Sequence, residues 1–384
     1  MQCIALITSQ AFSLVNFRGP LIRDLITAGL SVYALAPDYD EQLRQQIHDL
    51  GAIPVDYSLS RAGMNPLQDL HGLLSLWRTL RRIQPDITLA YFIKPVIYGT
   101  LAAWLARIPQ RYAMIEGMGY LFIEQHDSQL SPRIKNLRRM VIGLYRLALA
   151  RASHVFLLNP DDRNDLARWK ILDPVRATVL GGIGVNLDEW LYSPLPNPPV
   201  TFLLAARLLR EKGVLEYVAA ARQVQQHHPE ARFILLGNTD PNPGSITVEE
   251  VQGWVEEGLL EWPGHVEVQP WLAQASVYVL PSFYREGVPR STQEAMAMGR
   301  PVITTDAPGC RETVVDGLNG YLVPPRNSAA LAEAMLRFIE EPELIERMGA
   351  ESRRLAEERF DVRRVNQIML EAMGIQYKAG KANA

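Results

Sequence analysis

Residues 277–304 read VYVLPSFYREGVPRSTQEAMAMGRPVIT and contain the pattern of a parallel α/β sheet. The apolar run Val277–Leu280 is typical of a buried strand, and Pro301–Thr304 predicts the next one. Between them a loop leads into a helix that ends at Gly299, a residue suited to the left-handed backbone of a helix C-cap. A strand, a helix and a second strand in this order predict a βαβ unit.

Short apolar runs separated by amphipathic segments repeat this rhythm along the chain. The other predicted strands are Cys3–Thr8, Ser31–Ala36, Ile87–Phe92, Arg111–Ile115, His154–Leu158, Val200–Ala205 and Arg232–Leu236. Alternation of this kind favours parallel sheets covered by helices on both faces. The fold class predicted is α/β, with two doubly wound, Rossmann-like domains.

The chain of 384 residues is long enough for two domains, and a proline-rich segment separates them. We predict an N-terminal domain over 1–190, a linker over 191–200, and a C-terminal domain over 201–360. Residues 361–384 are expected to form a helix that packs back on the N-terminal domain, followed by a polar tail. Because ligands of such sheets lie beyond the carboxyl ends of the strands, we expect the two domains to face each other across a binding cleft.

The composition is that of a globular protein, with 48% hydrophobic and 21% charged residues. No apolar run approaches the roughly 20 residues that cross a bilayer. The N-terminus has no basic segment or cleavage site of a secretory signal, and the two cysteines, Cys3 and Cys310, suit a reducing compartment. We therefore expect a cytoplasmic protein, with no nucleic-acid partner.

Two glutamates, Glu286 and Glu294, stand eight positions apart around the loop and the start of the predicted helix. Backbone amides of Gly287, Val288, Arg290 and Ser291 near a helix N-terminus can receive a diphosphate, while carboxylates beside them can accept hydrogen bonds from sugar hydroxyls. The spacing alone is also compatible with a solvated loop glutamate and a helix-start glutamate favoured by the helix dipole.

A basic pair, Arg207 and Lys212, follows the first predicted strand of the second half. At a strand exit the two cations can hold phosphate groups and offset the charge that develops on a departing diphosphate. Without its context, such a pair is also typical of a solvated loop.

In its full context, the segment from Pro281 to Pro301 resembles the donor-binding signature of the GT-B retaining glycosyltransferases of family 4, with a glutamate, seven residues and a second glutamate. The resemblance implies that Glu286 contacts the transferred sugar, Glu294 the ribose, and Arg207 and Lys212 the phosphates. Gly287, Val288, Pro289, Arg290, Ser291 and Gly309 would complete the donor site. It also implies retention of anomeric configuration, with a nucleotide sugar as co-substrate and no obligatory metal or other cofactor.

Two further motifs have competing interpretations. Gly181–Asn186 resembles the glycine-rich turn that closes the first domain in this family, although Asn186 stands where aspartate is common. Asp38-Tyr39-Asp40 spells an acidic pair that could bind a metal, but aspartate is an ordinary turn former, and we predict no metal site.

On the acceptor side, Asn16, Arg18 and Gly19 lie between the first strand and its helix. There Gly19 could let a ligand approach the backbone and Arg18 could contact a phosphorylated acceptor; an ordinary helix start is the alternative. The segment Ile115–Tyr120 resembles that of bacterial family members that extend polyprenyl-diphosphate sugars, including N-acetylgalactosaminyltransferases. Glu116 is therefore a candidate catalytic, acceptor-positioning group. Arg61–Pro66 and Asn238–Pro243 resemble the same group.

The stretch 131–151 carries six basic residues and no acidic one, at helical apolar spacing. Such a helix can lie on an anionic membrane surface, or it can bury its apolar side in the domain and leave its arginines in water.

The resemblance predicts transfer of a sugar, N-acetylhexosamine from UDP, onto a lipid-diphosphate saccharide during bacterial surface polysaccharide or glycan assembly. The chain would act in the cytoplasm, at the inner face of the inner membrane. A retaining transferase with a soluble acceptor, a GT-B-like UDP-sugar 2-epimerase and a non-catalytic nucleotide-binding module are the alternatives.

Overall fold

The computed structural model of the chain describes residues 2–60, 65–122, 131–239 and 244–376. Parts of two motifs from the sequence, Arg61–Met64 and Asp240–Pro243, lie outside the described residues, as does the polar tail from 377 onward. The chain divides into two compact units: a first unit of residues 1–183 and 362–384, and a second unit of residues 184–361.

The first unit is built on a sheet of seven parallel strands in the order β3-β2-β1-β4-β5-β6-β7. The order changes direction between β1 and β4, which is where such sheets bind ligands. The strands are β1 Cys3–Ile7, β2 Ser31–Ala36, β3 Ile53–Asp56, β4 Ile87–Tyr91, β5 Gln110–Ile115, β6 His154–Leu157 and β7 Ala177–Val179.

The second unit has a sheet of six parallel strands in the order β10-β9-β8-β11-β12-β13. Its switch point lies between β8 and β11, because β9 and β10 extend the sheet to one side and the later strands to the other. The strands are β8 Thr201–Ala205, β9 Arg232–Leu236, β10 Glu261–Gly264, β11 Val277–Leu280, β12 Val302–Thr305 and β13 Gly320–Val323.

Helices cover both sheets, and in chain order they are α1 Ala11–Asn16, α2 Gly19–Thr27, α3 Glu41–Asp49, α4 Pro66–Ile83, α5 Thr100–Leu105, α6 Pro132–Leu149, α7 Pro160–Arg168, α8 Val214–Gln225, α9 Val248–Glu256, α10 Gln269–Gln274, α11 Arg290–Ala297, α12 Ser328–Glu340, α13 Glu343–Arg359 and α14 Val362–Ala372. A π-helical turn, Pro95–Gly99, precedes α5, and short 3-10 turns include Pro174–Arg176 and Arg210–Lys212. The central strands β8 and β11 are buried at every residue, and β1 is buried from Ile4 onward, as the continuous apolar runs predict. Two doubly wound α/β domains are thus present, as predicted.

The division between the units differs from the predicted one at residue 190. The backbone N–H of Val185 donates to the carbonyl of Phe360 at 2.8 Å, so the chain already belongs to the second unit there. The proline-rich segment is also fixed to that unit, because fully buried Arg300 donates to the carbonyls of Ser193 and Pro194 at 2.9 and 3.0 Å.

The last helix, α14, packs on α2 within the first unit, where Asn366 Nδ2 donates to Asp24 Oδ2 at 2.7 Å. Among the helices of the described ranges, none combines the length and the apolar character that crossing a bilayer requires.

Candidate functional site

The centre of the candidate donor site is an ion pair between Lys212 and Glu286, whose Nζ and Oε1 atoms lie 2.5 Å apart. Lys212 ends the 3-10 turn after β8, and Glu286 lies in the loop after β11, so the pair forms at the switch point of the second sheet. Both side chains are largely buried, at 14% and 11% exposure. Low exposure weakens solvent screening and strengthens the interaction of these charges with a ligand.

Ser282, which the sequence did not single out, holds the carboxylate of Glu286. Its Oγ lies 2.8 Å from Glu286 Oε1 and 3.2 Å from the carbonyl of Glu211, and it accepts the N–H of Tyr284 at 3.2 Å. The ring of Tyr284 in turn lies 5.3 Å from Lys212 Nζ, within cation–π range. Ser282 thereby joins the loops after β8 and β11 around the ion pair.

Two glycines with left-handed backbones fix these loops against each other. A Cβ on Gly213 (φ +78°) would lie 2.1 Å from the carbonyl oxygen of Pro281, and one on Gly309 (φ +80°) would lie 2.4 Å from that of Gly287 and 2.5 Å from that of Glu286. Only glycine can occupy either position without displacing its neighbour. The predicted residue Gly309 therefore lies against the backbone of the predicted residues Glu286 and Gly287.

The helix α11 begins at Arg290, with Pro289 as its N-cap and no acidic residue in its first turn. The first amides of any helix have no intrahelical acceptor, and the dipole favours an anion there. Buried Gln293 positions this helix start, because its Nε2 donates to the Val288 carbonyl at 3.1 Å and its Oε1 accepts Gly184 N–H at 3.0 Å. The predicted residues Val288, Pro289 and Arg290 thus share one rigid turn.

Ser291, also predicted for the donor site, is tied to the sheet through Tyr278. The hydroxyl of Tyr278 lies 2.7 Å from Ser291 Oγ and 3.1 Å from the carbonyl of Ala205 at the end of β8. Burial raises the pKa of the Tyr278 hydroxyl, so it remains a neutral donor.

Glu294 pairs with Arg290 one turn earlier on α11, with 2.7 Å between Oε1 and Nε. Burial raises the pKa of the Glu294 carboxyl above 4.5, although Arg290 opposes that shift. Arg207 lies two residues beyond β8, at the same end of the sheet, with an exposed side chain.

In the first unit, Arg18 and Glu116 form an ion pair, with Arg18 Nη2 donating to Glu116 Oε1. Arg18 precedes α2 and Glu116 follows β5, so the structure brings together two residues that the sequence proposed separately. The Arg18 side chain is 3% exposed; its guanidinium lies 4.8 Å from the centre of the Tyr91 ring, and Nη2 lies 2.9 Å from Met114 Sδ.

Tyr91 is itself held by hydrogen bonds of its hydroxyl group. Its hydroxyl lies 3.0 Å from Ser13 Oγ, which lies 2.9 Å from Thr8 Oγ1, and burial raises the pKa of the Tyr91 hydroxyl. Lys94, three residues beyond Tyr91, pairs with buried Asp69 at 2.7 Å. Polar side chains thus collect where β1, β4 and β5 end.

The other predicted first-unit residues have simpler surroundings. Asn16 is exposed at the end of α1, where its Nδ2 donates to the Phe12 carbonyl at 3.1 Å. Gly19 begins α2, and a Cβ there would meet only the Leu50 methyl groups at 3.9 Å, which is ordinary contact. The approach of a ligand to the Gly19 backbone stays a prediction.

The acidic residues after β2 act as helix caps. Asp38 Oδ1 accepts the N–H of Ala11 at 2.7 Å, and Asp40 Oδ1 accepts that of Leu43 at 2.7 Å. These contacts fit the turn-forming interpretation of both residues.

Comparison with protein families assigns both units. Residues 18–182 match the model described as "Glycosyl transferase 4-like domain", and residues 199–341 match "Glycosyl transferases group 1". The chain belongs to the group 1 glycosyltransferases. The predicted enzyme class is thereby confirmed: the protein is a glycosyltransferase.

Two curated relatives of this glycosyltransferase have names that include a sugar linked to diphospho-undecaprenol. It is 28% identical over 357 residues to the N,N'-diacetylbacillosaminyl-diphospho-undecaprenol alpha-1,3-N-acetylgalactosaminyltransferase of Campylobacter jejuni, covering 89% of this chain and 90% of the relative. It is also 22% identical over 290 residues, 72% of each chain, to the UDP-Gal:alpha-D-GlcNAc-diphosphoundecaprenol alpha-1,3-galactosyltransferase of Escherichia coli.

Solved structures agree on the fold. The sucrose-phosphate synthase of Thermosynechococcus elongatus has a TM-score of 0.78 at 19% identity, over 97% of this chain and 98% of that one. Anabaena Alr3699/HepE in complex with UDP and glucose has a TM-score of 0.77 at 18% identity, over 97% and 100%. The predicted GT-B fold, with two Rossmann-like domains, is confirmed.

Proposed function

We propose that this glycosyltransferase moves an N-acetylhexosamine from UDP onto a saccharide carried by a polyprenyl diphosphate, with retained anomeric configuration, in bacterial surface polysaccharide or glycan assembly. The observation that carries the proposal is the Lys212–Glu286 pair at the switch point of the second sheet, beside the start of α11. The name of the Campylobacter jejuni relative supports the choice of sugar and acceptor.

The second unit would hold the donor. Lys212, Arg207 and the first amides of α11 offset the charge of the diphosphate, since cations and helix-terminal amides both stabilise phosphate oxygens. Glu286 accepts hydrogen bonds from hydroxyls of the transferred sugar, and Glu294 accepts them from the ribose. Each carboxylate has a supporting partner, Ser282 for Glu286 and Arg290 for Glu294.

The transfer itself would be a front-face displacement. The acceptor hydroxyl oxygen forms a bond to the anomeric carbon while the bond from that carbon to the β-phosphate oxygen breaks. The hydroxyl proton passes to that phosphate oxygen, and UDP leaves. The lysine and the helix-start amides stabilise the developing phosphate charge, so the proposal requires no metal ion.

The first unit would hold the acceptor saccharide, where β1, β4 and β5 end and where Glu116 lies. Glu116 can accept a hydrogen bond from a sugar hydroxyl and orient it.

A lipid-linked acceptor also calls for a membrane-facing surface, and the exposed side of α6 offers one. Met140 and Leu147 are exposed two turns apart, and Arg139 and Arg151 are exposed beside them. Arg151 also lies 4.4 Å from the ring centre of exposed Trp104 on α5. Apolar and aromatic side chains among basic ones fit the interface of an anionic membrane. The remaining apolar side of α6 is in the core, through Val141 and Tyr145.

The test is a donor panel of UDP-, GDP- and ADP-sugars, with a polyprenyl-diphosphate disaccharide or a free disaccharide as acceptor and mass spectrometry of the products. We expect a product from UDP-N-acetylhexosamine and the lipid-linked acceptor, with the α-anomeric configuration of the donor retained in the new linkage and with undiminished yield in EDTA. Transfer only to the free disaccharide would favour the soluble-acceptor alternative. Conversion of the donor to its epimer without an acceptor would overturn the proposal.

A further inference from the structure

The charged guanidinium of Arg18 is buried within the first unit. Its side chain is 3% exposed and lies between the Tyr91 ring, Met114 Sδ and the Glu116 carboxylate. Phe17, its neighbour in sequence, offers a carbonyl oxygen 3.4 Å from Nη1. A phosphate at this guanidinium would have to compete with Glu116, a charged partner already in place, at a side chain that is far less exposed than Lys212.

Of the two charges, the carboxylate is the more accessible, because the Glu116 side chain is 11% exposed. It stands directly after β5, and the chain then turns through Gly117 and Gly119, which both have left-handed backbones (φ +108° and +75°). A carboxylate only accepts hydrogen bonds and repels phosphate. At Glu116, this end of the sheet therefore offers a ligand a group that is suited to a hydroxyl and not to an anion.

The tyrosine ring that packs against Arg18 is itself buried and hydrogen-bonded. Tyr91 is fully buried, and its hydroxyl is linked to Ser13 and through it to Thr8 at the end of β1. Arg18 thus connects the ends of β1, β4 and β5, and its guanidinium, which lies against the Tyr91 ring and Met114 Sδ, holds the Glu116 carboxylate by an ion pair. Locked side chains of this kind pre-organise the groups that contact substrate.

We infer that Arg18 is a positioning residue that acts through Glu116, and that Glu116 contacts a hydroxyl of the acceptor saccharide while Arg18 contacts no acceptor phosphate. The inference rests on the proposed function, in that the ligand of this edge is a saccharide. It replaces the phosphate contact that the sequence suggested for Arg18.

The experiment compares Arg18→Gln, Glu116→Gln, the double variant and Arg18→Lys, each with the lipid-diphosphate saccharide and with the same saccharide as a diphosphate-free alkyl glycoside. We expect both single variants to lower kcat/KM by about 10- to 100-fold on both acceptors. The double variant should match Glu116→Gln, because residues that act as one unit are not additive. Arg18→Lys should recover part of the loss.

A rise in KM for the diphosphate acceptor alone in Arg18→Gln would overturn the inference, as would losses that multiply in the double variant. Arg44→Gln is the matched control, because Arg44 also lies over a tyrosine ring, Tyr39 at 5.1 Å, and pairs with a carboxylate, Asp56 at 2.9 Å. It should leave both rates unchanged.

Ligand-observed NMR with the free saccharide separates the inference from the proposed function, because it requires no transfer. Saccharide signals that weaken equally in Arg18→Gln, Glu116→Gln and the double variant would support the inference. If the wild-type protein formed no product in the same study, that result would contradict the proposed function and leave the inference standing. Unchanged saccharide binding in Glu116→Gln would overturn the inference.

Discussion

Glu286 holds Lys212 by a contact of 2.5 Å between its Oε1 and the lysine Nζ, so the residue predicted for the sugar and the residue predicted for the phosphate are direct partners. A diphosphate that binds Lys212 would meet a lysine already fixed in place. Part of the entropy of ordering both side chains is then lost before the donor arrives, which favours binding. The two opposite charges also compensate each other in a largely buried place. Removing either side chain leaves the other charge without this partner, which destabilises the loop.

Lys212→Ala and Glu286→Gln should each lower kcat by about 100- to 1,000-fold, the usual cost of losing one group that stabilises developing charge. Steady-state rates with saturating donor and acceptor measure the effect. Arg210→Ala is the control, because Arg210 lies in the same turn but pairs on the surface with Glu250 at 2.8 Å. Near-normal turnover in Lys212→Ala or Glu286→Gln would contradict the assigned roles.

Ser282→Ala should lower kcat/KM by about 10- to 100-fold, since a hydrogen bond to a charged group contributes about 1.5–3 kcal/mol. The variant removes the hydroxyl 2.8 Å from Glu286 Oε1 and leaves the carboxylate in place. Ser276→Ala is matched in chemistry, because Ser276 is also buried and accepts a backbone N–H, from Thr201 at 3.1 Å, but it stands at the opposite end of β11. Equal losses in both variants would show that the effect is one of general stability.

Gly309→Ala should weaken donor binding, because its Cβ would lie 2.4 Å from the carbonyl oxygen of Gly287 and would force the loop of Glu286 to move. Gly317→Ala separates this clash from backbone strain, since Gly317 has a similar φ of +74° and open space around its Cβ position. Both variants should lose about 1–2 kcal/mol of stability from the left-handed backbone. Calorimetric titration with UDP should show weakened binding in Gly309→Ala only.

Much of the fold followed from local pattern. The predicted strands Ser31–Ala36, Arg232–Leu236 and Val277–Leu280 have the observed bounds, because apolar runs buried on both faces are easily recognised. The strands not predicted, Ile53–Asp56, Ala177–Val179, Glu261–Gly264 and Gly320–Val323, have three or four residues and all lie at a sheet edge. Edge strands are half-covered and carry polar or glycine residues, so their pattern is weak.

The residues of the candidate site also fall into two groups, those that local sequence predicts and those that only the folded structure brings together. Lys212 and Glu286 stand in a motif that local reading could find, with Glu286 in a loop after a strand as predicted. Ser282 and Gln293 were missed because their importance lies in contacts with Glu286 and Gly184, which are four and more than a hundred residues away in sequence. The pairing of Arg18 with Glu116 spans 98 residues and depends on β1 and β5 flanking β4. Only the assembled sheet brings these ends together.

The buried carboxyl of Glu294 should affect stability in a pH-dependent way. Its pKa is raised above 4.5 by burial, so the folded state holds this proton more tightly than the unfolded state. The contribution of this group to folding is then fully present below about pH 4.5 and is lost as pH rises through the pKa of the folded state. Relative to Glu294→Gln, the wild-type protein should therefore lose stability as pH rises toward neutral.

Urea unfolding of wild type and Glu294→Gln at several pH values between 4 and 7 measures that difference in the free energy of unfolding. Glu333→Gln, at an exposed position of α12, is the control for losing one negative charge from the surface. A wild-type protein that instead gains stability relative to Glu294→Gln as pH rises would mean that Arg290 outweighs burial in fixing the pKa of this carboxyl.

Finally, the exposed side of α6 should bind anionic membranes, and the double variant Met140→Glu/Leu147→Glu should not. Each apolar side chain of this size contributes about 1.5 kcal/mol or more when buried, and each new glutamate is repelled by anionic lipid, so binding should fall at least 100-fold. Flotation with vesicles of phosphatidylglycerol and phosphatidylcholine measures this, and salt should weaken the wild-type interaction because the basic residues act at the exposed surface.

Val175→Glu, at an 88% exposed apolar position of the same unit, should float like wild type. Transfer to a diphosphate-free acceptor should be unchanged in the double variant, because the residues replaced lie outside the strand ends that carry Glu116 and Arg18. Equal binding of the wild-type protein to vesicles of phosphatidylcholine alone would show that the arginines beside Met140 and Leu147 do not select anionic lipid.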